Sequence, residues 1–130
     1  MTESQSLLGR RLLVVEDEYM IAADLARALE DRGAEVIGPA GSVEDALNLV
    51  AAEQRIDGAV LDINLRGERS YPVADALRTR GVRFVFTTGY DAWAIPDAYA
   101  AVPRVEKPVN VKALSGLFSI DQSDEKPRTL

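Results

Sequence analysis

The sequence predicts an α/β fold in which a doubly wound, parallel, five-stranded sheet carries helices on both faces. Short apolar runs typical of strands alternate five times with stretches whose apolar residues have helical spacing, in units of roughly 20–25 residues. This alternation predicts parallel strands joined by right-handed crossovers. The 130 residues suffice for one domain, and a composition of 47% hydrophobic and 28% charged residues is ordinary for a globular protein.

The first two strand–helix units are regular. Residues 11–15 form an apolar run that predicts the first strand, and three acidic residues follow it. The first helix is expected to end at Gly33, and its apolar positions are Ile21, Leu25, Ala28 and Leu29. Residues 34–37 predict the second strand, which Gly38-Pro39 is expected to stop. Ser42 is expected to cap the second helix, whose apolar positions are Val43, Ala46, Leu47 and Val50.

The third and fourth strands flank a polar loop and a short helix. Residues 58–62 predict a buried strand that ends at Asp62, with a loop after it. Ser70 is expected to cap the short third helix, whose first turn tolerates Pro72. Residues 82–86 are rich in strand-forming residues and predict the fourth strand.

The last unit is less regular than the others. Residues 91–100 are weakly helical and Pro96 interrupts them, so we expect a frayed or broken helix there. Residues 102–105 predict the fifth strand, and Pro103 within it suggests a sheet edge. Asn110 is expected to cap a last helix, whose apolar positions are Val111, Leu114, Leu117 and Phe118.

Composition bounds the domain and excludes several functions. We expect a disordered N-terminus over residues 1–10, one folded domain over 11–119 and a polar tail over 120–130. The net charge of −6 argues against a nucleic-acid partner. No apolar run has the ~18–20 residues that cross a bilayer, and the N-terminus has no signal-peptide pattern, so we expect a cytoplasmic protein without a membrane partner. The chain contains no cysteine and no histidine, which excludes Ser–His and Cys–His catalysis and disulfides and makes a zinc site unexpected.

Polar groups follow four of the five predicted strands. The carboxyl ends of parallel strands meet at one edge of a sheet, where ligands bind in open α/β folds. These groups, up to 91 positions apart, are therefore expected to share one rim: Glu16 and Asp17 after the first strand, Asp62 after the third, Thr88 after the fourth and Lys107 after the fifth.

The chemistry of this set is consistent with phosphoryl transfer. Three neighbouring carboxylates repel one another, and a divalent cation with oxygen ligands such as Mg²⁺ removes that cost. Glu16 and Asp17 would bind the ion, with Asp62 as a shared ligand. The backbone carbonyl of Asn64 would complete the protein ligands. Asp62 would then be a nucleophile that forms an acyl phosphate.

The remaining groups of the rim suit the phosphoryl oxygens. The Lys107 ammonium supplies positive charge, and the Thr88 hydroxyl can donate a hydrogen bond. Each residue taken alone also has an ordinary structural explanation, such as acids that favour a helix start or an aspartate in a turn. The functional interpretation depends on their joint occurrence at four strand ends.

The motifs resemble the receiver domain of two-component response regulators over about residues 11–118. They are residues 13–18 (LVVEDE), residues 61–64 (LDIN), Thr88-Gly89 and Lys107-Pro108. The resemblance implies a flavodoxin-like (βα)5 fold with strand order 2-1-3-4-5. It implies that Asp62 accepts a phosphoryl group from a sensor histidine kinase, with Mg²⁺ held by Glu16, Asp17 and the Asn64 carbonyl. It also implies a cis Lys107-Pro108 peptide.

Three positions depart from the family pattern. Arg66 stands where the family usually has a proline, and Arg104 stands where it usually has a switch aromatic. Residues 84–90 (FVFTTGY) resemble the Phe-Ala-Thr-Gly-Tyr signature of a receiver subgroup known as FATGUY, with threonine in place of alanine. Tyr90 is therefore a candidate switch residue, although it also fits a packed surface aromatic.

The leading hypothesis is a stand-alone receiver whose only chemistry is its own Mg²⁺-dependent phosphorylation and dephosphorylation. Its output would be contact with a downstream protein, onward transfer to a phosphotransfer protein, or consumption of phosphoryl groups. Arg104 and residues 91–100 suggest the contact surface. The main alternative is a phosphatase of the haloacid dehalogenase type, which needs a second acid where Asn64 stands. A flavin-binding protein of the flavodoxin type would need a hydroxyl- and glycine-rich loop after the first strand, where this chain has acids.

Overall fold

A parallel five-stranded sheet lies at the centre of the protein in a computed structural model that describes residues 6–89 and 95–118. Its strands are β1 (Arg11–Val15), β2 (Glu35–Ala40), β3 (Gly58–Asp62), β6 (Phe84–Thr88) and β7 (Arg104–Glu106). Their order is β2-β1-β3-β6-β7, which confirms the predicted order 2-1-3-4-5 for the five sheet strands. Two further strands, β4 (Asn64–Leu65) and β5 (Glu68–Arg69), form a small antiparallel hairpin.

Helices cover both faces of the sheet. They are α1 (Tyr19–Asp31), α2 (Val43–Ala52), α3 (Tyr71–Thr79) and α4 (Val111–Phe118), and a 3-10 turn spans Asp97–Tyr99. Alternate residues of β1 point to opposite faces. Leu13 and Val15 join a core with α2, α3 and Tyr99, whereas Leu12 and Val14 join a core with α1 and α4. The described parts of the chain contain no helix long and apolar enough to span a bilayer.

Two of the three predicted helix caps are confirmed. The Ser42 hydroxyl accepts a hydrogen bond from the Asp45 backbone N–H at 3.1 Å, and Asn110 Oδ1 accepts one from the Lys112 N–H at 2.9 Å. Ser70 stands at the N-cap position of α3, as predicted, but its side chain makes no capping hydrogen bond, and its backbone (φ −85, ψ 13) is not in the extended conformation typical of a cap. Its buried hydroxyl has no hydrogen-bond partner among the described residues.

The structure changes the bounds of three predicted strands. The second strand does not stop at Gly38-Pro39 but continues to Ala40, with a shift in its pairing to β1. This continuation is tolerated because β2 is an edge strand. The fourth and fifth strands, predicted over 82–86 and 102–105, both begin two residues later. Val82 and Val102 are buried before the ladders begin, and β7 lies at the sheet edge, as Pro103 suggested.

The folded domain extends further toward the N-terminus than predicted. Leu7, inside the segment expected to be disordered, is fully buried, and its N–H donates to the Arg32 carbonyl at 2.9 Å. Of residues 91–100, the described part forms a 3-10 turn rather than an α-helix, while residues 91–94 lie outside the described residues. The predicted boundary near residue 119 lies outside them as well and stays a prediction.

Candidate functional site

The ladder registers bring the predicted site residues to one rim of the sheet. Val15 pairs with Leu61, Asp62 with Thr87, and Thr88 with Glu106. The residues just beyond these pairs therefore emerge side by side. Glu16, Asp17 and Asp62 each place one carboxylate oxygen within 4.8 Å of the other two. The predicted acidic cluster is thus present in the structure.

Lys107 connects two members of this cluster. Its ammonium lies 2.8 Å from Asp62 Oδ2 and 3.1 Å from Glu16 Oε1. The Lys107 backbone N–H donates to the Thr88 carbonyl at 3.0 Å, which fixes the lysine to the end of β6. The Lys107-Pro108 peptide is cis, as the resemblance implied.

Burial and charge act against each other in this cluster. Burial raises the pKa of Glu16, and the charge of Asp62 raises it further, while the Glu18 N–H and Lys107 lower it; the net direction is upward. Burial lowers the pKa of Lys107, but the hydrogen bonds and charges of Asp62 and Glu16 more than offset this, so the pKa lies above its usual value. Lys107 is therefore a cation at neutral pH.

The acidic cluster has the donor set that a hard divalent cation prefers. All three side chains offer carboxylate oxygens, and two of them, Glu16 and Asp62, are buried. The single ammonium of Lys107 leaves this group with excess negative charge. The upward pKa of Glu16 indicates that its ionised form is costly in this surrounding. A cation at this place would offset that cost, so these residues fit Mg²⁺.

Asn64 and Thr88 complete the predicted set. The Asn64 backbone N–H donates to Asp62 Oδ1 at 3.2 Å, and its side chain is exposed. Thr88 is buried and, with Gly89, Glu106 and Lys107, lines a cavity of about 390 Å³. A methyl group at Gly89 would meet no described atom within 4 Å. This open space borders Lys107, whose ammonium contacts Asp62.

Of the two switch candidates, the structure describes Arg104 and places it away from this cluster. Arg104 is exposed at the first position of β7, away from the carboxyl end that carries Lys107. Tyr90 lies outside the described residues, so its role stays a prediction.

The structure adds one contact that the sequence did not indicate. The backbone N–H of Arg66 donates to Asp17 Oδ2 at 2.9 Å. Arg66 lies in the turn between β4 and β5, a hairpin where the sequence predicts a polar loop. The available signal was Gly67, which suits a two-residue hairpin turn, but Arg-Gly is a weaker turn signal than Asn-Gly or Asp-Gly.

Comparison with known proteins identifies the family of this chain. The family model described as the response regulator receiver domain matches residues 12–116. PhyR from Methylorubrum extorquens is 32% identical over 82% of this chain and 42% of its own length. PdtaR from Mycobacterium tuberculosis is 34% identical over 49% of this chain and 31% of its own length. The chain thus spans less than half the length of these curated relatives.

A solved structure extends the similarity to nearly a whole protein. SdrG from Sphingomonas melonis Fr1 is 38% identical, superposes with a TM-score of 0.73, and is matched over 85% of this chain and 93% of its own. SdrG is also known in a BeF3-activated conformation, to which this chain is 39% identical. The match to the family model covers most of the chain, and the fold and the rim residues agree with it. The chain therefore belongs to the response regulator receiver domains of two-component signalling.

Proposed function

We propose that Asp62 accepts a phosphoryl group from a sensor histidine kinase in a Mg²⁺-dependent reaction. The observation that carries this proposal is the ammonium of Lys107, which contacts both Asp62 and Glu16 within a cluster of three carboxylates. An isolated aspartate at a strand end would need no such arrangement. The BeF3-activated conformation of SdrG supports it, because BeF3⁻ has the tetrahedral shape of a phosphoryl group once a carboxylate binds it.

The transfer step is a displacement at phosphorus. An Asp62 carboxylate oxygen forms a bond to phosphorus while the phosphorus–nitrogen bond of the donor histidine breaks, and the nitrogen keeps the electron pair. The product is an acyl phosphate. Lys107 would balance charge on the transferring oxygens, and the Thr88 hydroxyl would donate a hydrogen bond to one of them.

The metal would be held by this chain's own oxygen atoms. Glu16, Asp17 and Asp62 offer carboxylates, and the Asn64 carbonyl would be the fourth protein ligand, with water filling the remaining positions. When bound, Mg²⁺ supplies positive charge to the carboxylates and to the phosphoryl oxygens. The neighbouring Lys107 keeps the cluster from full mutual repulsion before the ion arrives.

The proposal describes a signalling module rather than a metabolic enzyme. Turnover would be limited to phosphorylation and dephosphorylation of Asp62 in the cytoplasm, where ATP supplies the kinase. Its output would be contact with a downstream protein or transfer to a phosphotransfer protein. The family match does not support a phosphatase of the haloacid dehalogenase type, and Asn64 has no carboxylic acid to protonate a leaving group.

The test is the intact mass of the protein after incubation with acetyl phosphate and Mg²⁺. We expect one added phosphoryl group that is labile in base, and no addition in Asp62→Asn or with a chelator. Asp57→Asn is a matched control, because Asp57 lies just before β3, at the end opposite Asp62, and it should still be modified.

If acetyl phosphate does not phosphorylate the protein, a second measurement is available. Binding of BeF3⁻ can be followed by the chemical shifts of the backbone amides. We expect shifts at Asp62, Thr88 and Lys107 that require Mg²⁺. An adduct that persists in Asp62→Asn, or the absence of both the adduct and these shifts, would contradict the proposed function.

A further inference from the structure

The β4–β5 hairpin has an unusual turn. Its two central residues, Arg66 and Gly67, have φ angles of 51 and 87. Positive φ is easy for glycine but unfavourable for a residue with a Cβ atom, and Arg66 is the non-glycine residue with positive φ within residues 6–89 and 95–118. Such a conformation persists where its surroundings fix it.

The hairpin register directs two backbone donors toward the acidic cluster. Leu65 pairs with Glu68 across the hairpin, so the N–H groups on either side of Leu65 face away from the partner strand. The N–H of Asn64 donates to Asp62 Oδ1 at 3.2 Å. The N–H of Arg66 donates to Asp17 Oδ2 at 2.9 Å. Leu65 itself is buried and anchors the hairpin.

The three carboxylates differ in how they are held. Glu16 accepts from the Glu18 N–H and contacts Lys107, and Asp62 has Asn64 and Lys107 as partners. Within the described chain, the Arg66 N–H is the one hydrogen-bond donor to the Asp17 carboxylate. The orientation of Asp17 therefore depends on the backbone at position 66.

The Arg66 side chain plays a separate part. Its guanidinium is exposed and forms no ion pair with any residue that the structure describes. It lies beside Gly41, where an added Cβ would be 3.6 Å from Arg66 Nη2 and 3.7 Å from Asp17 Cα. The contact that reaches the Asp17 carboxylate comes from the backbone, so substitutions can separate the N–H from the charge.

We propose that Arg66 is a positioning residue for the metal ligand Asp17. Its backbone N–H, aimed by the left-handed turn, holds Oδ2 of Asp17 and leaves Oδ1 for the divalent cation. This inference rests on the proposed Mg²⁺ site. A hydrogen bond to the second oxygen orients a ligating carboxylate, and loss of such a partner typically weakens metal affinity by about 10- to 100-fold. Proline, which has no N–H and cannot adopt this φ, could not provide the bond.

Two substitutions at position 66 separate the backbone from the side chain. Arg66→Gly keeps the N–H and the left-handed conformation but removes the guanidinium, whereas Arg66→Pro removes all three. Calorimetric titration with Mg²⁺ alone should give a Kd raised by about 10- to 100-fold in Arg66→Pro. The Kd of Arg66→Gly should stay within about threefold of wild type, because an exposed charge is largely screened.

The outcomes distinguish this inference from the proposed function. A wild-type protein that binds no Mg²⁺ would overturn the proposed site and this role with it. Mg²⁺ binding by wild type that is equally tight in Arg66→Pro, or equally weak in both variants, would overturn the role of the Arg66 N–H alone.

Hydrogen exchange tests the same bond without relying on the proline variant. We expect the amide of residue 66 to be protected in wild type and to exchange about 10-fold faster or more in Asp17→Ala. The amide of Asn64, bonded to Asp62, should keep its protection in that variant. Equal exchange of amide 66 in the two proteins would overturn the proposal.

Discussion

Asp57 and Asp62 stand at opposite ends of β3 and have opposite surroundings. Asp57 accepts the Arg11 backbone N–H at 2.8 Å and lies 2.8 Å from Arg55 Nη2. Burial raises the pKa of Asp57, but the Arg55 guanidinium and the Arg11 N–H lower it more, so the net pKa is below its usual value. Asp62 instead shares the lysine of the acidic cluster. Asp57 is held by cations and a backbone donor at one end of the strand, whereas Asp62 belongs to the acidic cluster at the other end.

The lowered pKa of Asp57 predicts a pH-dependent contribution to stability. A carboxyl group with a depressed folded pKa stabilises the protein fully above its unfolded value of 3.8, and this contribution is lost as the pH falls through the folded pKa. Wild type should therefore melt a few degrees above Asp57→Asn at pH 7, and the gap should narrow below pH 3.8. Thermal melts of both proteins across this pH range measure the difference in melting temperature. A difference that stays constant with pH would contradict the lowered pKa of Asp57.

The 3-10 turn is held in position by contacts with α3 rather than by the helical propensity of its own sequence. The Tyr99 ring stacks on Tyr71 with centroids 4.5 Å apart, and its hydroxyl donates to Asp75 Oδ1 at 2.8 Å. Arg78 lies over the same ring, 4.9 Å from its centroid, and donates to the Ala98 carbonyl. These contacts explain why this short segment is ordered although its helical pattern is weak.

Removal of the Tyr99 hydroxyl should weaken the contact between the 3-10 turn and α3 without leaving a cavity in the core. Tyr99→Phe keeps the stacking but loses the hydrogen bond to the Asp75 carboxylate, so we expect a loss of about 1–2 kcal/mol in the free energy of unfolding. Urea denaturation measures it. In an Asp75→Ala background the same substitution should cost clearly less, and an equal cost in both backgrounds would mean that the bond contributes nothing.

The whole domain includes an N-terminal turn that closes one face of the sheet. Leu7 belongs to the same buried core cluster as Leu29 of α1 and Leu114 and Phe118 of α4. The Ser6 hydroxyl also lies 2.9 Å from the Ser115 hydroxyl. Residues before the first strand thus bridge two helices that are distant in sequence.

Two neighbouring leucines test this closure. Leu7 is fully buried, so Leu7→Ala should lower the free energy of unfolding by about 2–5 kcal/mol. Leu8 is 57% exposed, and Leu8→Ala should change the free energy of unfolding by no more than about 0.5 kcal/mol. Chemical denaturation of the two variants measures the difference. Similar stabilities would show that the turn does not belong to the cooperative domain.

The sequence predicts features whose signal is periodic and misses those that depend on tertiary contacts. The parallel sheet and the grouping of Asp62 with Lys107 follow from the alternating elements, because parallel strands end at a common rim. The strand order followed instead from the resemblance to the receiver family. Leu7 was missed because its short polar neighbourhood has no period, and its burial depends on α1 and α4. The sequence does not predict the Arg66 contact, because the donor is a backbone N–H, which nearly every residue type provides.

The positions of the site residues along the chain also determine the order in which they are synthesised and assembled at the rim. A ribosome makes Glu16, Asp17 and Asp62 well before it makes Lys107, which follows the edge strand β7. A nascent chain therefore carries the acidic residues without the ammonium that balances them. Docking of β7 brings this charge to the rim, so the acidic cluster gains its balancing cation only when the last strand of the sheet has been added.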